Sequence, residues 1–99
     1  MPFAIYTKDK PGAQAVRAEH RAAHYQYLQD HCAQLIASGG LHEEGAQVMN
    51  GGLIIIDVDT RAEVDRFVAG DPFTQAGLFE QVDVVRWKMA FFDGAQVAS

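Results

Sequence analysis

The chain has 99 residues, 48% hydrophobic and 21% charged, an ordinary globular composition for one small domain and far from that of a disordered segment. Thirteen acidic residues against eight basic ones give a net charge of −5, and the Lys and Arg residues are scattered, so neither nucleic acid nor an anionic membrane surface is an expected partner. A single cysteine, Cys32, excludes an internal disulfide; no apolar run approaches the roughly 20 residues that cross a bilayer and no leader pattern precedes the first strand, so a cytoplasmic protein is expected.

Phe3 to Thr7 reads as a short strand with apolar residues on both faces, placing it inside a sheet. Lys8-Asp9-Lys10-Pro11-Gly12 reads as a turn, because Pro and Gly together stop a strand. A long helix is predicted from about Ala13 to Ala37, rich in Ala, Gln, Leu, Arg and Glu, with Ser38-Gly39-Gly40 as its cap. Leu41 to Val48 is weakly patterned and reads as an edge strand. Asn50-Gly51-Gly52 turns into Leu53 to Val58, a β-branched run that is apolar on both faces and therefore central.

Thr60-Arg61-Ala62-Glu63 is a capping box, in which Thr60 and Glu63 satisfy each other's orphan amides. The second helix runs from there to about Ala69, burying Val64, Phe67 and Val68, and Gly70 closes it. Asp71-Pro72-Phe73 opens a brief helical turn ending at Gly77. The last strand is predicted over about Gln81 to Phe92, where Val85, Trp87, Met89 and Phe91 alternate with wetter positions. The tail from Asp93 is small and polar and is expected to fray.

The order is β-α-β-β-α-β in one domain spanning residues 1–99. That is the α+β, ferredoxin-like arrangement, a four-stranded antiparallel sheet with two helices on one face. Its first and third strands are central, and those are the two that read as apolar on both sides. The other sheet face then carries an apolar patch too large for a monomer, and a second copy is the economical cover: a homodimer is expected.

The first helix changes character along one stripe. At about 100° per residue, Leu28, Cys32, Leu35 and Ile36 form an apolar stripe whose backward continuation is His24, Arg21 and Arg17. Ionisable groups on an inward face are costly unless they meet partners or line a wet cavity. One end of the helix is therefore read as facing the core and the other a pocket. His24 is the candidate acid or base, since imidazole exchanges protons near neutral pH. Arg21 and Arg17 are candidates for holding an anionic oxygen, and Tyr6, on a central strand, is a further candidate substrate contact. Asp71 before Pro72 has the form of a helix N-cap. Cys32, on the apolar stripe, is expected to be a buried small hydrophobe. His20 and His24 have the i, i+4 spacing of a metal pair, with His42 or a carboxylate as a possible third ligand, but no third ligand is fixed and no metal site is assigned.

Arg21-Ala22-Ala23-His24, Ala37-Ser38-Gly39-Gly40, Asp71-Pro72-Phe73, Ala76-Gly77-Leu78-Phe79 and Val82-Asp83-Val84 stand in an order that resembles the YCII-related family over nearly the whole chain. The resemblance implies a dimeric ferredoxin-like α+β barrel related to muconolactone isomerases. It also implies a His–Asp pair in a pocket, carried here by His24 and Asp71. The chain departs from the family's common pattern at Gly39-Gly40 (Gly-Pro), Gly51-Gly52 (Gly-Ser) and Phe73 (Tyr).

One activity in the family is dehydrochlorination of a chlorinated hydroxyhydroquinone, and this chain is similar to that type. The expectation is an enzyme that moves protons on a small hydroxylated aromatic without a cofactor, which suits a sequence with no dinucleotide fingerprint or phosphate loop. A muconolactone-isomerase-like proton shuttle and a metabolite-binding dimer without catalysis are the alternatives.

Overall fold

The computed structural model describes residues 1–98. Its elements in order are β1 (Phe3–Asp9), α1 (Gln14–Asp30), a 3-10 turn (Cys32–Gln34), β2 (Leu35–Leu41), β3 (Gly51–Ile56), α2 (Arg61–Gly70), α3 (Pro72–Gln75), β4 (Phe79–Arg86), β5 (Phe91–Phe92) and β6 (Ala95–Gln96). Strict alternation drives β1, which buries Phe3, Ile5, Thr7 and Asp9 and turns Tyr6 and Lys8 outward. It pairs antiparallel with β3 and β4, and β2 pairs with the far side of β3, giving the order β2-β3-β1-β4. This is the expected ferredoxin-like sheet with β1 and β3 central.

Ile5, Ile54 and Ile56 of the sheet, with Phe3 and Val58, meet Val64 and Phe67 of α2. Tyr27 and Leu28 of α1 pack against the same cluster, so both helices cover one sheet face. Thr60 caps α2 by accepting from the Glu63 backbone N–H, one half of the expected capping box, while the Glu63 carboxylate accepts from the Thr60 hydroxyl and not from its amide. No helix among the described residues is long and apolar enough to cross a membrane.

The first departure from expectation is the end of α1. The helix stops at Asp30, and residues 35–41 form an edge strand, so the edge strand lies six residues earlier than Leu41 to Val48. Ser38, Gly39 and Gly40 are in the ladder opposite Ile54, Leu53 and Gly52. The apolar spacing of Leu35 and Ile36 continues a helical stripe, but their pairing covers the open edge of β3, which would otherwise leave a row of unpaired backbone groups. Close approach explains a glycine nearby: a Cβ on Gly51 would stand 2.5 Å from the Thr7 carbonyl oxygen.

The C-terminal region departs as well. β4 ends at Arg86, and β5 and β6 form a separate two-stranded ribbon closed by Asp93 and Gly94 in left-handed conformations. The tail expected to fray from Asp93 therefore contains a return strand; its last residue, Ser99, lies outside the described residues.

Candidate active site between α1, the sheet and α3

Asp71 terminates α2 and caps α3. Its Oδ1 accepts from the Phe73 backbone N–H at 2.9 Å, with Pro72 at the first helical position, where no donor is missed. The same oxygen lies 2.8 Å from Nδ1 of His24. Both side chains are buried, His24 at 8% and Asp71 at 3% exposure. The capping role and the His–Asp contact thus coincide on one atom. An ionised carboxylate only accepts, so Nδ1 is assigned as the donor and Nε2 as the nitrogen with the free lone pair.

Phe73 fixes the imidazole plane, stacking on it at 4.1 Å between centroids and 15° between planes. Nε2 has no hydrogen-bond partner among the described residues and is not sealed from the adjoining cavity, which His24 lines. A buried imidazole held by a carboxylate on one side and open on the other is arranged to take or give a proton.

The cavity has a volume of about 670 Å³ and runs along α1. Arg17 lies on its wall, but its charge is already matched: Nε donates to Asp9 Oδ2 at 2.7 Å and Nη2 to Asp9 Oδ1 at 3.1 Å. Nη2 also reaches the Gly51 carbonyl at 3.2 Å, and the guanidinium sits 4.8 Å from the centre of the Phe73 ring. Arg17 therefore braces the wall that holds Phe73 against His24. Arg21 also lines the cavity; it lies over the Tyr25 ring, donates to its hydroxyl at 3.2 Å, and has no carboxylate within 4 Å among the described residues. It is the wall's cation without an acidic partner.

Two expectations are corrected here. Tyr6 is on the outward face of β1, opposite the cavity, because side chains alternate along the strand and Thr7 takes the inward position. Cys32 is exposed, since the helix ends at Asp30 and the residue falls in the 3-10 turn that follows, and it lies on the cavity wall. The histidines do not converge: His31 Nδ1 contacts the Tyr27 carbonyl, His42 Nδ1 that of Glu43, and His20 approaches Glu19 at 3.8 Å. Among the described residues no group of three His, Cys, Asp or Glu is arranged to hold a metal ion.

Asp9 was hidden in what reads as a turn. The signal was present: the inward alternation Phe3, Ile5, Thr7 extends to Asp9 and delivers a carboxylate opposite the inward-facing Arg17.

The YCII-related domain profile matches residues 1–88. The chain belongs to the YCII-related family. Protein YciI of Escherichia coli O6:H1, a YCII relative, is 27% identical over 92% of this chain and 100% of its own length. The structure of 5-chloro-2-hydroxyhydroquinone dehydrochlorinase from Burkholderia phenoliruptrix AC1100, in complex with 2,5-dihydroxybenzoquinone, superposes with a TM-score of 0.85 at 40% identity. That match covers 89% of this chain and 94% of that one. Protein Atu4242 from Agrobacterium tumefaciens, at 18% identity and a TM-score of 0.57, covers 97% and 100% and shares the fold. Within this YCII-related chain, the Arg21-x-x-His24 element and Asp71-Pro72-Phe73 meet at one cavity wall.

Proposed function

We propose that this protein is a homodimeric lyase that removes HCl from a chlorinated hydroxyhydroquinone, working by proton transfer. The observation that carries the reading is the buried Asp71–His24 pair, with Nε2 free toward a cavity that also presents Arg21. The similarity to a dehydrochlorinase across 89% of the chain supports the choice of substrate.

Nε2 of His24 takes a phenolic proton, and Arg21 stabilises the phenolate that results. Electron density moves into the ring, and the carbon bearing chlorine is protonated by the imidazolium. Chloride leaves with the electron pair of the C–Cl bond as a second O–H proton is lost, giving a hydroxybenzoquinone. One C–Cl bond is replaced by C–H while two ring hydroxyls become carbonyls. Reduction and oxidation thus balance within the substrate, and the net loss is HCl. Asp71 holds the productive tautomer and offsets the imidazolium charge.

The test is chloride release from 5-chloro-2-hydroxyhydroquinone by purified protein under anaerobic conditions, beside His24→Ala. The expected result is release that falls by about 10²- to 10⁴-fold in the variant, the usual range for a positioned acid–base group. Equal release from both proteins would sink the assignment of His24, and no release above background would sink the lyase.

A further inference from the structure

The cavity is larger than one hydroxylated ring requires, and its two arginines stand on one side of His24 along α1. A void of about 150 Å³ accommodates a benzene ring; this one measures about 670 Å³. Along α1 the lining residues include Arg17, Arg21 and His24, then Tyr25, Leu28 and Gln29, with Cys32 in the 3-10 turn that follows. Both cations precede the imidazole; the side chains that follow it are uncharged, and the amide of Gln29, the polar one furthest along, donates to the Cys32 sulfur at 3.6 Å. At 1.5 Å per residue, Leu28 lies about 6 Å beyond His24 along the helix axis, and Cys32 follows just past the helix end at Asp30. Leu35 of β2 and Ile54 of β3 line the cavity with them, where the sheet beneath belongs to the apolar core.

A ring placed between Arg21 and His24 therefore leaves an apolar arm of the same cavity beyond it. We infer that the preferred ligands are hydroxylated aromatics bearing an apolar substituent, alkyl or aryl, that lies along Leu28, Cys32 and Leu35. The inference rests on the reading that the reactive ring engages His24 and Arg21, and it extends the substrate class beyond the unsubstituted chlorinated ring. The substituent occupies the arm because the two spaces are continuous and a single ring leaves most of the volume to water against Leu28, Leu35 and Ile54. Each methylene moved from water into such surroundings strengthens binding about fourfold, equivalent to about 0.8 kcal/mol.

The experiment measures binding without turnover. Calorimetric titration under anaerobic conditions compares hydroxyhydroquinone, which has no chlorine to lose, with its butyl-substituted analogue. The substituted ligand is expected to bind at least about tenfold more tightly, allowing for incomplete burial of the chain. Filling the arm by Cys32→Trp, at an exposed position that tolerates bulk, should bring the ratio of the two affinities close to one. Cys32→Phe is the smaller second variant and should bring it part of the way.

Equal affinities in the wild-type protein would overturn the inference, whether the arm is then closed by a second copy or simply wet. So would a gain that survives both substitutions, since the chain would be binding elsewhere. Chloride release from the unsubstituted chlorinated substrate is scored separately. Release with equal affinities keeps the lyase and removes the arm; a Cys32-sensitive gain without release keeps the arm and removes the lyase.

Discussion

Asp71 Oδ1 receives two hydrogen bonds, from the Phe73 N–H and from His24, so substitutions at this position separate folding from chemistry. Asp71→Asn retains an acceptor for the cap but no charge for the imidazolium. Its stability should stay within about 1 kcal/mol of wild type while chloride release falls by about 10²-fold or more. Asp71→Ala removes the cap and orphans a buried imidazole donor, together about 2–4 kcal/mol. Urea unfolding beside the activity assay checks both, and Asn and Ala variants of equal stability would show that the cap contributes little. A different pair, Asp9 and Arg17, supports the wall itself. Arg17→Met strands a carboxylate whose side chain is only 5% exposed, a loss of about 3–5 kcal/mol. Combining it with Asp9→Leu should restore a large part of that, and strictly additive losses in a double-mutant cycle would refute the pairing. That His24 and Arg21 face a cavity was legible in the sequence, because ionisable groups on an apolar stripe need a reason. The Asp71–His24 pair came from the family resemblance and not from the residues alone, which lie far apart in sequence, and Asp9 was missed although the alternation of β1 reaches it.

The helices are joined by one tyrosine. Tyr27 of α1 donates its hydroxyl to the Phe67 carbonyl of α2 at 2.8 Å, and its ring meets those of Phe67 and His31. Burial first, and then the Asp71 carboxylate, raise its pKa above the ordinary value of 10.0. In the unfolded chain the phenol ionises near 10.0, whereas in the folded chain it holds its proton to higher pH. The contribution is therefore complete below pH 10 and is lost as pH rises through the folded pKa. Melting temperatures measured from pH 8 to pH 11 should fall more steeply above pH 10 for the wild type than for Tyr27→Phe. The variant should start lower, because the bond to Phe67 is gone, by about 1 kcal/mol. Parallel profiles would show that Tyr27 ionises alike in both states. Element identity was mostly readable: the capping box at Thr60, the apolar β3 and the Asp-Pro start of α3 each state their structure locally. The boundary of α1 was not, because Leu35 and Ile36 satisfy a helical period and a strand's ladder equally well. Ser38, Gly39 and Gly40 have poor strand propensity, and only the vacant edge of β3 decides between the two.

The uncovered side of the sheet is a property of the whole molecule. Tyr6, Leu53 and Val85 lie on the outward positions of β1, β3 and β4 and are 46%, 40% and 59% exposed. Tyr6 and Leu53 are directly opposite each other, Val85 lies further along β4 beyond the exposed Asp83, and Phe91 and Phe92 of the separate ribbon are exposed as well. A lone 99-residue domain has a thin stability margin, so covering this surface with a second copy, as the proposed homodimer does, both hides the patch and couples folding to association. A charge added to this face discriminates between these states. Val85→Glu would bury an unpaired charge in an interface formed on this face and should weaken association by at least about 100-fold. Sedimentation equilibrium at micromolar concentration should find wild type as dimer and Val85→Glu as monomer, with the melting temperature of the wild type rising with concentration and that of the variant not. Arg61→Glu, on α2 where Arg61 pairs with exposed Asp65, should leave the dimer intact. A wild-type monomer would refute the dimer. A Val85→Glu dimer would move the interface off this face. Because Thr7 of the cavity wall and Tyr6 of the open face are consecutive on β1, a monomeric variant that still folds should also lose activity as β1 loosens. A fully active monomer would show that the site is complete in one chain.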